Sequence, residues 1–452
     1  MSDITSKSLT ELASLIRTRQ VSPVEVVEAH LRRIEELNPS LNAVVTLADD
    51  ALERARDAER NTNGAGVLHG LPVTIKDTIE TKGLRSTSGS LMREHFVPAM
   101  DAPSVARLKN AGAIILAKTN PAEMAMDYNG DNPLFGRTNH PQDHRRTPGG
   151  SSAGEAAAIS VGMSPGGLGT DLAGSIRIPA HFCGITGLKP GTGRVPGEGQ
   201  FPPSTGPYSL GAVIGPMART VDDLKLLFSV LSASAPSNRS IDDSRSSLKS
   251  ARVAWYTHDG TSPVTSETAA AVERVARLMN ECGMDVNEAR PPGVERGNEL
   301  WMKTFSRASV VQLRKVYAGN EDKGGDFVRW RLATADDIPP PGLDEYISNW
   351  MERDRARAEL LAWMEEVPFL IAPVGAVPAF EHGALKITVN GETFGTFKAF
   401  SYCQAFNVFD LPVVVVPASR ISDGLPMGVQ LVGRPNEEER LLDLASVVLA
   451  MI

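Results

Sequence analysis

The sequence predicts an α/β fold built on a mixed β-sheet, and three observations carry that expectation. Short β-branched runs alternate with helix-patterned segments along most of the chain. The apolar run at 411–417 is far too short to cross a membrane and reads as a strand buried on both faces. The 452 residues, 42% hydrophobic and 22% charged, have the balance of a globular protein with a large core.

The elements follow in chain order. Residues 8–37 have helical spacing: Ser8 reads as one N-cap, and Ser22 followed by Pro23 opens a second helix. The apolar side of that helix is Val24, Val27, His30, Leu31 and Ile34. Residues 71–75 read as a strand that ends at Lys76 and Asp77. A helix at 101–110 leads into a second strand at 113–117, and the Ala-rich segment 154–163 is a helix. Residues 168–170 and 185–188 read as short strands, and the Gly- and Pro-dense stretch 189–209 as a long irregular loop. Thr220, with acids behind it, caps a further helix. The Ser-rich segment 233–250 reads as a linker or surface excursion. A strand at 253–256, a helix at 266–282, strands at 412–417 and 427–432 and a helix at 436–450 complete the pattern. Residues 290–400 are the least regular and hold four of the five tryptophans. No internal repeat is present.

A formal net charge of −8 argues against a nucleic-acid partner held on a broad basic surface. Three scattered cysteines are too few for a disulfide framework or a thiolate metal site, and fit a reducing compartment. The first residues lack the basic-then-apolar order of a signal peptide, so a cytoplasmic location without membrane attachment is expected.

The chemistry concentrates in two segments, Gly149-Gly-Ser-Ser-Ala-Gly154 and Gly169-Thr-Asp-Leu-Ala-Gly-Ser-Ile-Arg177. Serines set among glycines suit a nucleophile on a backbone that must approach a ligand closely. The amides of Leu172, Ala173, Gly174 and Ser175 are placed to converge as an oxyanion hole. The base has two candidates. His181 follows Ser175 closely but sits in an apolar stretch that suits a packed core histidine. Lys76, at a strand end, must be desolvated to be neutral near pH 7.

These segments, with Phe182-Cys-Gly-Ile-Thr-Gly-Leu-Lys-Pro190, resemble the signature of the amidase signature family. Further matching stretches are Gly70-Leu-Pro-Val-Thr-Ile-Lys-Asp77, Ala117-Lys-Thr-Asn120, Gly215-Pro-Met-Ala-Arg-Thr220 and Gly424-Leu-Pro-Met-Gly-Val-Gln430. The resemblance covers most of 5–230 and 400–450. It implies one amidase domain over 1–452, with a mixed sheet flanked on both sides by helices. Within it, a helical layer would run to about 65, a signature core over 66–230, and a variable pocket region over 290–400.

The resemblance also implies the roles. Ser175 would be the nucleophile, Ser151 the bridging serine and Lys76 the base, and the separations between the three match the family pattern. A cis peptide is implied at the Ser151–Ser152 pair. Ser152, Thr170, Asp171 and Arg177 would support the loops. The implied activity is hydrolysis of C–N bonds in small amides, including aryl amides and carbamates, by a monomer or homodimer with no cofactor and no metal. Two alternatives share the resemblance: an enzyme like the A component of glutamyl-tRNA amidotransferase, with a tRNA-binding partner, and a non-catalytic binding protein on the same fold.

The chain departs from the family pattern in two places. Ala153 and Ala173 stand where glycine is usual, which predicts a tighter oxyanion hole. The loop at 191–208 also departs, which predicts altered access, and it should form the pocket with 290–400. Other signals are discounted. His140 and His144 are spaced for zinc on a helix, but Pro141 makes that segment a loop. The glycines at 166–169 are followed by no Gly-Lys-Ser/Thr and form no phosphate loop. The charges over 352–359 read as a solvated helix face.

Overall fold

The computed structural model describes residues 3–61, 66–234, 239–337 and 340–452. Its centre is an eleven-stranded mixed sheet. The strands in chain order are β1 (Val44–Leu47), β2 (Pro72–Lys76), β3 (Ile114–Thr119), β4 (Gly166–Asp171), β5 (Thr186–Lys189), β6 (Val213–Ala218), β7 (Arg252–Trp255), β8 (Asp285–Glu288) and β9 (Phe369–Pro373). A separate hairpin, β10 (Lys386–Val389) and β11 (Glu392–Gly395), follows before β12 (Val413–Arg420) and β13 (Pro426–Val432). The spatial order is β1-β3-β2-β4-β6-β5-β12-β13-β9-β7-β8. Pairing is parallel for β3-β2-β4 and β9-β7-β8 and antiparallel elsewhere. The β2 strand, with Lys76 at its end, is thus enclosed on both edges.

The apolar run in β12 divides between the two faces of the sheet, as a period of two requires. Val414 and Val416 join one core, with the helices Leu9–Arg17, Val221–Ser232, Ser266–Glu281 and Glu438–Leu449. Val413 and Val415 join the other, with the helices Arg177–Cys183, Gly297–Trp301 and Ser401–Val408. The same alternation in β2 sends Val73 and Ile75 into the first core. Thr74 and Lys76 therefore share the opposite face, where the helix Ala153–Ser160 packs. Ser8 and Ser22 cap their helices as expected, each closing a capping box with the glutamate three residues on.

Several stretches differ from the sequence pattern. The Ser-rich segment holds a helix, Ile241–Leu248, because Ser240 accepts from the Asp243 amide at its start and Ser244 and Leu248 are buried on its inner side; residues 235–238 lie outside the described residues. The 290–400 region is largely helical, with Gly297–Trp301, a π-turn at Met302–Ser306, Arg307–Tyr317, Asp326–Ala333 and Leu343–Trp363, before β9. Those helices have no clean apolar stripe, since several of their apolar side chains stay in solvent: Val311, Trp330, Leu343, Ile347 and Met351 are all exposed. Strands β1 and β8 are four-residue edge strands, too short for a period-two signal. The 189–209 stretch is irregular, apart from a short 3-10 turn at Gly206–Leu210 that begins inside it. It is fastened to the exit of β2, where the Phe201 amide donates to Thr78 O (2.8 Å) and the Glu80 amide to Gly199 O (2.7 Å). Among the described residues, no helix is long and apolar enough to cross a membrane.

Candidate active site

Lys76 is fully buried at the end of β2. Its ammonium donates to Ser151 Oγ (2.7 Å) and Thr170 Oγ1 (2.7 Å). Burial pushes the group down to about 7, opposed by the Asp171 and Glu155 carboxylates. A lysine held there is a usable proton acceptor near neutral pH, which a solvated lysine is not.

Glu155 lies on the same face, in the first turn of the helix Ala153–Ser160, and sequence reasoning passed it over. Thr74 Oγ1 and Thr119 Oγ1 donate to its two oxygens (2.5 and 2.6 Å), so the carboxyl spans β2 and β3 directly behind the lysine strand. Burial raises it to about 7 against the pull of those hydroxyls and of Lys76 and Lys118. A Cβ on Gly167 would lie 2.2 Å from Glu155 Oε1, so the glycine makes room for this acid. The available signal was one acid in an otherwise apolar helix.

Ser151 and Ser152 close the loop that enters the helix Ala153–Ser160. The peptide between Gly150 and Ser151 is cis. Ser151 O accepts from the Ala122 amide (3.1 Å), and the Ser152 amide donates to Ser175 O (3.2 Å), which ties this loop to the 171–177 turn. The Ser152 hydroxyl lies 3.4 Å from both the amide and the carbonyl of Thr170. Ser151 and Ser152 are 0% exposed, whereas Ser175 keeps 6% and its hydroxyl has no hydrogen bond among the described residues. Ser175 is therefore the serine of the three with a free hydroxyl that solvent or a ligand reaches.

The 171–177 turn is organised by one carboxylate. Asp171 accepts from the amides of Gly174 (2.9 Å) and Ile176 (3.1 Å), from Arg177 Nε and Nη2 (both 3.0 Å), and from Asn407 Nδ2 (2.9 Å). Burial alone would raise this carboxyl, yet the Arg177 guanidinium and the hydrogen bonds hold it far below the usual carboxylate range. Arg177 Nη1 is satisfied by Cys403 O (3.0 Å) and Gln430 Oε1 (3.1 Å). Gly174 has φ +109°, and a Cβ there would lie 2.8 Å from Cys403 Cβ and Ile178 Cδ1. Of the four amides expected to form the oxyanion hole, that of Gly174 is already donated to Asp171. Those of Leu172, Ala173 and Ser175 have no partner among the described residues. Ala173, where glycine is usual, is accommodated with its amide free.

Two aromatic side chains contact the same turn, and sequence reasoning missed both. Tyr128 OH donates to Ala173 O (2.7 Å) and Trp301 Nε1 to Leu172 O (2.9 Å). Phe397 lies between them, parallel to Tyr128 at 5.4 Å and 4.7 Å from Trp301. Asn407 and Gln430 were likewise unmarked, because their partners are distant in sequence. His181 takes the core role: its Nδ1 accepts from the Gly428 amide (2.8 Å), its Nε2 faces Val377 O (3.3 Å), and burial lowers it to about 4. His140 Nε2 bonds to Phe182 O (2.9 Å). Among the described residues, no cluster of His, Cys, Asp or Glu is arranged to hold a metal ion.

The amidase family profile matches residues 25–442. The chain is 33% identical to the A component of the glutamyl-tRNA(Gln) amidotransferase of Thermus thermophilus, over 96% of this chain and 95% of that protein. It is 32% identical to fatty-acid amide hydrolase 2-A of Danio rerio, over 94% of this chain and 85% of that protein. Among solved structures, a bacterial aryl acylamidase superposes with a TM-score of 0.84 at 27% identity, covering 98% of this chain and 95% of the other. Sequence and fold agree, and the chain belongs to the amidase signature family of C–N hydrolases.

Proposed function

We propose that the protein hydrolyses the C–N bond of small amides, aryl amides and carbamates among them, by acyl transfer to Ser175. The observation that carries this reading is the 2.7 Å contact between Lys76 Nζ and Ser151 Oγ, made by a lysine that burial pushes down to about 7. Neutral Lys76 takes the proton of Ser151, and Ser151 takes that of Ser175 as its oxygen attacks the substrate carbonyl. The free amides beside Ser175 receive the developing oxyanion. The proton returns by the same path to the leaving nitrogen, and the amine departs. Water then releases the acid by the same acid–base route. With a carbamate, loss of the amine leaves a carbonate ester on Ser175, which water cleaves to alcohol and carbon dioxide. Thr170 and Ser152 hold the lysine and the loop, and Asp171 with Arg177 holds the turn.

The aryl preference draws on the aromatic group Tyr128, Phe397 and Trp301 against the 172–173 backbone and on the likeness to the aryl acylamidase. A panel of a nitroanilide, an aryl carbamate, a simple aliphatic amide and glutamine tests it with purified protein. Turnover of the nitroanilide or the carbamate is expected. Cleavage of simple amides with no turnover of either aromatic substrate would sink the aryl and carbamate reading. Identity to the amidotransferase A component favours a second reading as a glutaminase; it requires glutamine to be the preferred member of the panel. Ser175→Ala is expected to abolish turnover with the thermal unfolding transition retained, and residual activity would remove Ser175 as nucleophile.

A further inference from the structure

The amides available to an oxyanion are aimed by what holds the carbonyls of the same peptide units. In a trans peptide the C=O of one residue and the N–H of the next share a plane and point in opposite directions. Gly174 O, which shares its plane with the Ser175 amide, accepts from the Ile178 amide (2.7 Å) at the start of the helix Arg177–Cys183. The plane of Ala173 O and the Gly174 amide is held on both sides, by Tyr128 OH and by Asp171. The plane of Leu172 O and the Ala173 amide has one restraint among the described residues: the indole N–H of Trp301, at 2.9 Å.

Trp301 is built to hold that position. It is 7% exposed and packs against Phe397 and Phe305. It ends the helix Gly297–Trp301, which lies so close to the helix Ser401–Val408 that a Cβ on Gly297 would sit 2.4 Å from Ala405 Cβ. That second helix carries Asn407 and the Cys403 carbonyl to Asp171 and Arg177. One rigid pair of helices therefore grips the turn at both ends.

We propose that Trp301 is a positioning residue for catalysis: by holding the Leu172 carbonyl it aims the free Ala173 amide at the oxygen of the reacting carbonyl. This rests on the reading of Ser175 as nucleophile. The role falls to a side chain from the helical 290–400 region, outside the signature segments.

Labelling by an alkyl fluorophosphonate tests the inference without knowledge of the substrate. The Ser175 oxygen bonds to phosphorus, fluoride leaves, the proton passes to the Lys76 relay, and the phosphoryl oxygen occupies the oxyanion site. Wild-type protein is expected to be labelled at Ser175 by mass spectrometry; no label there would overturn the nucleophile itself, a result distinct from any effect at Trp301. Trp301→Phe, which keeps a ring and loses the donor, is expected to react roughly 10- to 100-fold more slowly, part of the effect of deleting a whole oxyanion donor. The pH midpoint of labelling should stay where it is in wild type, because the burial of Lys76 is untouched. Tyr128→Phe should slow labelling less than Trp301→Phe, since Asp171 still holds the plane Tyr128 restrains. Trp301→Met carries the same expectation if the Phe variant folds poorly. Labelling within about twofold of wild type, a midpoint that moves with the rate, or a larger effect from Tyr128→Phe would each overturn the proposal.

Discussion

Lys76 Nζ and Ser151 Oγ lie 2.7 Å apart although 75 positions separate the two residues in the chain. The contact exists because β2 ends beside β4, and the helix after Ser151 packs on the face of β2 that presents Thr74 and Lys76. A buried amine between two hydroxyls has consequences that titration reads directly.

The first concerns the pH dependence of activity. Burial pushes Lys76 down to about 7, so its ammonium predominates below that pH and its neutral, proton-accepting form above it. The kcat/KM profile is expected to rise through a single limb near pH 7 to a plateau. Glu155 holds the lysine up, so Glu155→Gln should move the limb to lower pH. A profile flat from pH 5 to 9 in the wild type would exclude Lys76 as the base.

Lys76 also opposes stability. Its folded value lies below the 10.5 of an ordinary lysine, so the unfolded chain binds the extra proton between about 7 and 10.5. The cost is therefore complete below pH 7 and fades as pH rises toward 10.5. Lys76→Met is expected to abolish activity and to stabilise the fold by about 2–4 kcal/mol at pH 6, in the range seen when buried charge gives way to apolar volume. The gain should shrink at pH 10, as urea titration at the two pH values would show. Equal gains at both would mean that folding does not lower the proton affinity of Lys76.

Removing Arg177 leaves Asp171 as an uncompensated charge with both side chains fully buried. Arg177→Met is expected to destabilise by about 3–5 kcal/mol. Adding Asp171→Asn should restore part of that loss, since a neutral amide takes the place of the stranded carboxylate. A double variant no more stable than the single one would show that the pair matters for packing rather than charge.

Gly174→Ala combines a positive φ of 109° with a Cβ 2.8 Å from Cys403 and Ile178. The backbone conformation alone costs an L-residue on the order of 1–3 kcal/mol. The turn must shift, taking the Ser175 amide with it. Turnover is expected to fall by two orders of magnitude or more, with substrate KM little changed. Full activity would mean that the turn tolerates displacement.

The sequence was most legible where local chemistry repeats: capped helices at Ser8, Ser22 and Thr220, and apolar strands β2, β3, β12 and β13. It was least legible at 290–400, where helices with several apolar side chains in solvent show no clean period. At the candidate site, Lys76 contacts Ser151 and Thr170 and is held up by the Asp171 carboxylate, and the Ser152 amide donates to the Ser175 carbonyl. The aromatic and amide partners were hidden: Tyr128, Trp301 and Asn407 reach the 171–177 turn from segments that carry no motif, and the stretch that ends at Gln430 does not by itself show which distant residue that amide meets.

The sequence by itself determined the residue types of the site and the strand and turns that carry them, since glycines, caps and period-two runs act over a few positions. Only the tertiary structure decided which hydroxyl meets the lysine and which amides stay free. It also decided that Glu155 sits behind the base, because proton affinity and peptide orientation depend on what burial brings from distant parts of the chain.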